Sequence, residues 1–132
     1  MRTAVYPGSF DPITFGHIDI AQRALKVFEK LVIVISVNPN KHAMFTGEER
    51  VTMVKEVMKD HLDQIEVMTS NDLTVKQTKN LGASHIVRGL RAVTDFEYEF
   101  QLTHANRVLE KEIDSIFFMT DNKYSFLKII NK

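Results

Sequence analysis

The chain has 132 residues, 44% hydrophobic and 26% charged, with 17 basic and 17 acidic side chains and no cysteine. Disulfides and thiolate metal sites are therefore excluded, and no field of one sign draws the chain to nucleic acid or a membrane. The longest apolar run, Leu31 to Ile35, is far too short to span a bilayer, and the N-terminus lacks the blocks of a signal peptide, so a single cytoplasmic domain is expected.

Arg2 to Tyr6 reads as a short strand. The stretch that follows, YPGSFDPITFGHIDI, holds a Pro-Gly turn, Ser9, Asp11-Pro12 and Gly16-His17. Ile18, Ala21, Ala24, Leu25 and Phe28 recur at helical spacing, which predicts a helix from about Gly16. Leu31 to Val37 is almost continuously apolar and β-branched, as a strand covered on both faces would be. Asn38-Pro39-Asn40 breaks it. Thr46 and Glu49 have capping-box spacing, and Val51, Val54, Val57 and Met58 give the next helix an apolar face. Ile65 to Met68 is a third strand, and a short helix over Thr74 to Leu81 stops near Gly82. His85 to Arg88, ending in Gly89, is a fourth strand. Tyr98, Leu102, Ala105 and Leu109 mark a long helix with a core face, and Ser115 to Met119 is a fifth strand.

Strands alternating with helices predict an α/β fold: a Rossmann-like, doubly wound, five-stranded parallel sheet with helices on both faces. Ligands of such sheets bind outside the carboxyl ends of the strands, near the switch point. That directs attention to the loops after Tyr6, Val37, Arg88 and Met119.

The first of these loops has neither a Gly-x-Gly-x-x-Gly dinucleotide fingerprint nor a Walker phosphate loop. A helix N-terminus there still favours an anion, and the His17 ring can donate to a phosphate oxygen. A histidine that merely caps its own backbone is the competing reading. Asp11 reads as structural, turning the chain before Pro12. Lys41 stands where an ammonium can bind a phosphate, or it is a solvated surface lysine. Arg88 and Arg91 bracket Gly89, and two guanidiniums can hold two phosphates. Asp95 and Glu97 read as partners of those arginines. No histidine pair has convincing zinc spacing, so no metal site built by protein ligands is expected. No nucleophile is paired with a base. A site of cations and N–H donors suits phosphoryl or nucleotidyl transfer, where one substrate attacks another.

YPGSFDPITFGHIDIAQRA, MFTGEERV and IVRGLRAVTDFEYEFQLTHANR, in this order and at these separations, resemble blocks of the bacterial phosphopantetheine adenylyltransferases of the nucleotidyltransferase superfamily. The likeness covers about residues 1 to 127. Thr14-Phe15-Gly16-His17 looks like this family's form of the superfamily histidine signature, in which other members usually have a histidine at the position of Thr14. The resemblance implies transfer of AMP from ATP to 4′-phosphopantetheine, yielding dephospho-coenzyme A and pyrophosphate with Mg2+. It implies that His17 stabilises charge on the α-phosphate and that Ser9 orients the attacking phosphate. Lys41 and Arg88 would hold the phosphopantetheine phosphate, with Thr74 along the pantetheine arm. Ser9, Phe10, His17, Gly89, Leu90, Arg91, Glu99, Tyr124, Ser125 and Phe126 would line the ATP side. It further implies a cytoplasmic homohexamer, with coenzyme A as an inhibitor.

The tail departs from the family pattern. After Tyr124-Ser125-Phe126 the family continues with a serine-rich turn and a further helix, whereas this chain reads Leu127 to Lys132. The expectation is one nucleotidyltransferase domain over residues 1–132 without that closing segment after about residue 127, and weaker ATP binding. Two alternatives stand beside this reading: another nucleotidyltransferase of the superfamily, or a low-activity module that binds phosphopantetheine or coenzyme A-like ligands.

Overall fold

The computed structural model describes residues 2–40, 42–71, 73, 75–90, 100–105 and 113–119. Five strands form one parallel sheet: β1 (Thr3–Gly8), β2 (Lys30–Ser36), β3 (Ile65–Ser70), β4 (His85–Leu90) and β5 (Asp114–Met119), in the order β3-β2-β1-β4-β5. The helices are α1 (Phe15–Ala24), α2 (Gly47–Val57) and α3 (Val75–Asn80), with a short 3-10 turn at Lys59–His61. Residues 100–105 are also helical.

The alternation of the central strands shows why both faces need cover. Ala4 and Tyr6 of β1 and Leu31, Ile33 and Ile35 of β2 pack with Ile20, Ala21 and Ala24 of α1 and with Val54 and Met58. The intervening Val5, Val32 and Val34 belong to a second cluster with Ile86, Ala83 and Ile113, against which Val75 and Leu81 pack. Leu31 to Ile35 are all buried, and each contributes on the order of 1.5–3 kcal/mol by leaving water. The continuous apolar run is thus the signature of a strand buried on both sides.

Chain order reverses between β1 and β4, and their pairing stops early there. β1 pairs with β2 along its whole length, from Thr3↔Lys30 to Gly8↔Ile35. With β4 it pairs only at Ala4↔His85 and Val5↔Ile86. β4 instead stays with β5 to its end, at Leu90↔Met119. The two central strands therefore part toward their carboxyl ends, opening the crevice that parallel α/β sheets use for ligands.

Several boundaries differ from expectation. β1 extends to Gly8, and β4 runs through Gly89 and Leu90 because both still pair with β5. The first helix begins at Phe15, and the third stops at Asn80, ahead of Gly82 at φ +79. That left-handed backbone suits glycine and ends a helix. Val57 is exposed rather than part of the α2 core face, which Arg50 joins instead. In the helix at 100–105, Leu102 is half-buried and Ala105 exposed, so neither forms part of the core.

Candidate active site

The chain leaves β1 over Gly8 and Ser9, and Ser9 is exposed. Phe10 then takes a positive φ of 47°, unusual for a residue with a Cβ, and its side chain turns into the core, 1% exposed. Its ring meets Tyr6 edge-on at 5.2 Å and lies tilted against the His17 imidazole at 4.7 Å. Gly8 makes room for it: a Cβ there would lie 3.0 Å from the Phe10 ring.

Helix α1 opens on Thr14, whose Oγ1 accepts from the His17 N–H at 3.3 Å. The His17 side chain answers, with Nδ1 3.0 Å from the Thr14 N–H. This is a capping box in which histidine takes the place of the usual glutamate. A backbone N–H can only donate, so Nδ1 must be the accepting, unprotonated nitrogen. The neutral ring then carries its proton on Nε2. His17 is half-buried, packed on Phe10 on one side and held by the helix start. Backbone capping and phosphate donation are therefore not alternatives, since they use different nitrogens.

Arg88, Gly89 and Leu90 lie at the carboxyl end of β4, across the crevice from the β1 loop. Leu90 is buried, Arg88 half-buried and Gly89 exposed. Arg88 and Tyr6 are close enough to interact electrostatically. Burial raises the Tyr6 phenol well above its ordinary range; the Arg88 charge partly offsets this, and Asp19 adds to it. Tyr6 therefore stays protonated at working pH and serves as neutral packing for Phe10, not as an acid or base. The sheet thus brings Ser9, Phe10, His17, Arg88, Gly89 and Leu90 to one end of β1 and β4. Lys41, Thr74, Arg91, Asp95, Glu97, Glu99, Tyr124, Ser125 and Phe126 lie outside the described residues.

Sequence reasoning missed two ties that hold the first loop. The Asp11 carboxylate accepts the N–H groups of Met44 and Phe45, both at 2.8 Å. Arg50, 5% exposed, donates to the carbonyls of Ser9 at 2.9 Å, Ser36 at 3.1 Å and Thr46 at 3.3 Å. The available signal was spacing: Arg50 stands four residues before Val54 and eight before Met58, on the row that α2 buries.

Residues 5–128 match the cytidylyltransferase-like family. The chain is 46% identical over 127 residues to the phosphopantetheine adenylyltransferase of Geotalea daltonii, covering 96% of this chain and 78% of that protein. It is 49% identical over the same length to the enzyme of that name from Clostridium botulinum, 79% of which is covered. Among solved structures it resembles nicotinic acid mononucleotide adenylyltransferase of Plasmodium falciparum, with a TM-score of 0.66 at 14% identity over 96% of this chain and 80% of that one. It also resembles the lipopolysaccharide core biosynthesis protein of Thermoplasma volcanium, with a TM-score of 0.65 at 18% identity over 92% and 97%. At such identities these two show the fold alone. A parallel sheet split at its switch point, a histidine in the first helical turn beside it and close sequence likeness along nearly the whole chain agree: the chain belongs to the phosphopantetheine adenylyltransferases of the cytidylyltransferase-like family.

Proposed function

We propose that this chain transfers the adenylyl group of ATP to 4′-phosphopantetheine, giving dephospho-coenzyme A and pyrophosphate, a step of coenzyme A assembly. The observation that carries the reading is the Nδ1 contact of His17 with the Thr14 N–H, which assigns the ring proton to Nε2 at the mouth of α1. In the reaction an oxygen of the phosphopantetheine phosphate attacks the α-phosphorus. The bond from that phosphorus to the oxygen leading to the β-phosphate breaks, and pyrophosphate leaves. Charge builds on the non-bridging α-oxygens, and a fixed N–H donor stabilises that charge more than it stabilises the ground state. His17 needs to exchange no proton in this role. The two reacting phosphates need only be brought in line.

Ser9 orients the attacking phosphate, Lys41 and Arg88 bind it, and Thr74 borders the pantetheine arm. The ATP side comprises Gly89, Leu90, Arg91, Glu99 and residues 124–126, with the Phe10 backbone. The Phe10 ring supports His17 from within the core. Mg2+ would neutralise charge on the triphosphate. Among the described residues no group of three or more metal-binding side chains is assembled. The ion would be carried by the nucleotide's own phosphates, as Mg2+ commonly is. Among these residues no helix is long and apolar enough to cross a membrane. A cytoplasmic homohexamer inhibited by coenzyme A completes the proposal.

The test is product identification by mass spectrometry after incubation with Mg2+. The chain is offered ATP with 4′-phosphopantetheine or nicotinate mononucleotide, and CTP with each. Dephospho-coenzyme A from the first mixture supports the reading. A product only with nicotinate mononucleotide or only with CTP replaces it by another nucleotidyl transfer.

A further inference from the structure

Arg50 sits in the first turn of α2 but is 5% exposed, on the same buried row as Val54 and Met58. A guanidinium cannot shed its charge, so burying it is costly unless every donor is used. Among the described residues it pairs with no carboxylate; its partners are neutral carbonyls from three segments. One nitrogen, Nη1, donates to both Ser9 and Ser36. Ser36 is the last residue of β2, and the chain beyond it leads to Lys41. Asp11 makes a second tie between the same two loops, in the opposite sense: an anion of the first loop held by two N–H groups of the second.

We propose that Arg50 is a positioning residue for the acceptor phosphate, fixing the loop of Ser9 relative to the loop of Lys41 through the Ser9 and Ser36 carbonyls, with Asp11 as the second tie. This rests on the proposed adenylyl transfer to 4′-phosphopantetheine. An apolar side chain of similar volume could fill the space without the desolvation cost. What it could not do is hold two strand-end carbonyls at one point. In the proposed site the acceptor phosphate meets both tied loops, through Ser9 and Lys41, besides Arg88 of β4, whereas the nucleotide meets only the first of the two loops and β4. Loosening the tie therefore acts selectively on the acceptor.

The test uses Arg50→Lys, which keeps the charge but loses the planar fork, Arg50→Met, and Asp11→Asn, which turns an amide NH2 toward an N–H group. Folding is checked by circular dichroism. Steady-state kinetics are measured for each substrate, and 4′-phosphopantetheine is titrated calorimetrically into each protein. The expected result is a rise of about tenfold to a hundredfold in KM and Kd for 4′-phosphopantetheine, with KM for ATP changed by less than about threefold. Arg50→Lys should fall between wild type and Arg50→Met. Folded variants with unchanged acceptor affinity, or with equal losses for both substrates, overturn the inference. If Arg50→Met does not fold, Arg50→Lys and Asp11→Asn decide by the same outcomes. A wild-type chain that releases no pyrophosphate overturns the parent reading instead. The titrations then decide the inference alone, and equal affinity, or no binding by the wild type, overturns it.

Discussion

The Thr14 N–H donates to His17 Nδ1 at 3.0 Å, and this one bond both starts a helix and sets the tautomer of the histidine. The two roles can be separated by substitution. Thr14→Ala removes Oγ1, which accepts the His17 N–H and also lies 3.1 Å from Nδ1, but keeps its own N–H, so the histidine retains its backbone donor to Nδ1. We expect a stability loss of about 1 kcal/mol, typical of a lost N-cap, with turnover within a few fold of wild type. His17→Ala should lower turnover by about 10²–10³-fold. It loses the second half of the box and the ring's packing on Phe10, so its stability loss should be at least that of Thr14→Ala, with the fold retained. Thermal melts beside kcat measurements check the pair. Equal turnover losses in the two variants would mean that the cap, not the Nε2 donor, is what matters.

Gly8 and Phe10 make a second expectation. A Cβ at Gly8 would press on the Phe10 ring, which cannot retreat because it is buried against Tyr6 and His17. Gly8→Ala should cost on the order of 1–3 kcal/mol, as overpacking usually does. It should also reduce kcat, because the displaced ring is the one that backs His17. Chemical denaturation and steady-state kinetics measure both. A stable, fully active Gly8→Ala protein would show that the ring can move without consequence.

Tyr6 predicts a pH dependence. In the unfolded chain its phenol ionises near its ordinary value of 10.0, whereas burial raises the value in the folded protein. Above that pH the unfolded state loses a proton that the folded state keeps. Stability therefore holds below about pH 10 and falls as pH rises beyond it. Tyr6→Phe removes this contribution. Melting temperatures of the two proteins from pH 8 to 11 should show a steeper alkaline decline for wild type. Parallel declines would place the Tyr6 hydroxyl in water.

Much of this arrangement was legible in the sequence, and the remainder was hidden for definable reasons. The run Leu31 to Ile35 announced a central strand, because burial on both faces removes the polar alternation. Thr46 and Glu49 announced a helix start that the structure contains in full. At Thr14 and His17 capping was read only as a competitor of phosphate donation, and the full box was not recognised, since it is normally closed by an acid or amide and not by an imidazole. Asp11 was read as a local turn residue, yet its partners lie 33 and 34 positions away, and spacing carries no record of such contacts. Arg50 was passed over because a charge on a buried row is normally excluded; only the strand-end carbonyls that receive it explain its place. Phe10 was assigned to the nucleotide, and its positive φ, which turns the ring inward, leaves no trace in the residue type.

The most direct measurement is pyrophosphate release in a single turnover, with ATP, 4′-phosphopantetheine and Mg2+, by wild type beside His17→Ala. The account predicts one pyrophosphate and one dephospho-coenzyme A per site from the wild type, and a rate at least about a hundredfold lower from His17→Ala with its fold retained. Equal rates in the two proteins, or no pyrophosphate from the wild type with this acceptor, would contradict it.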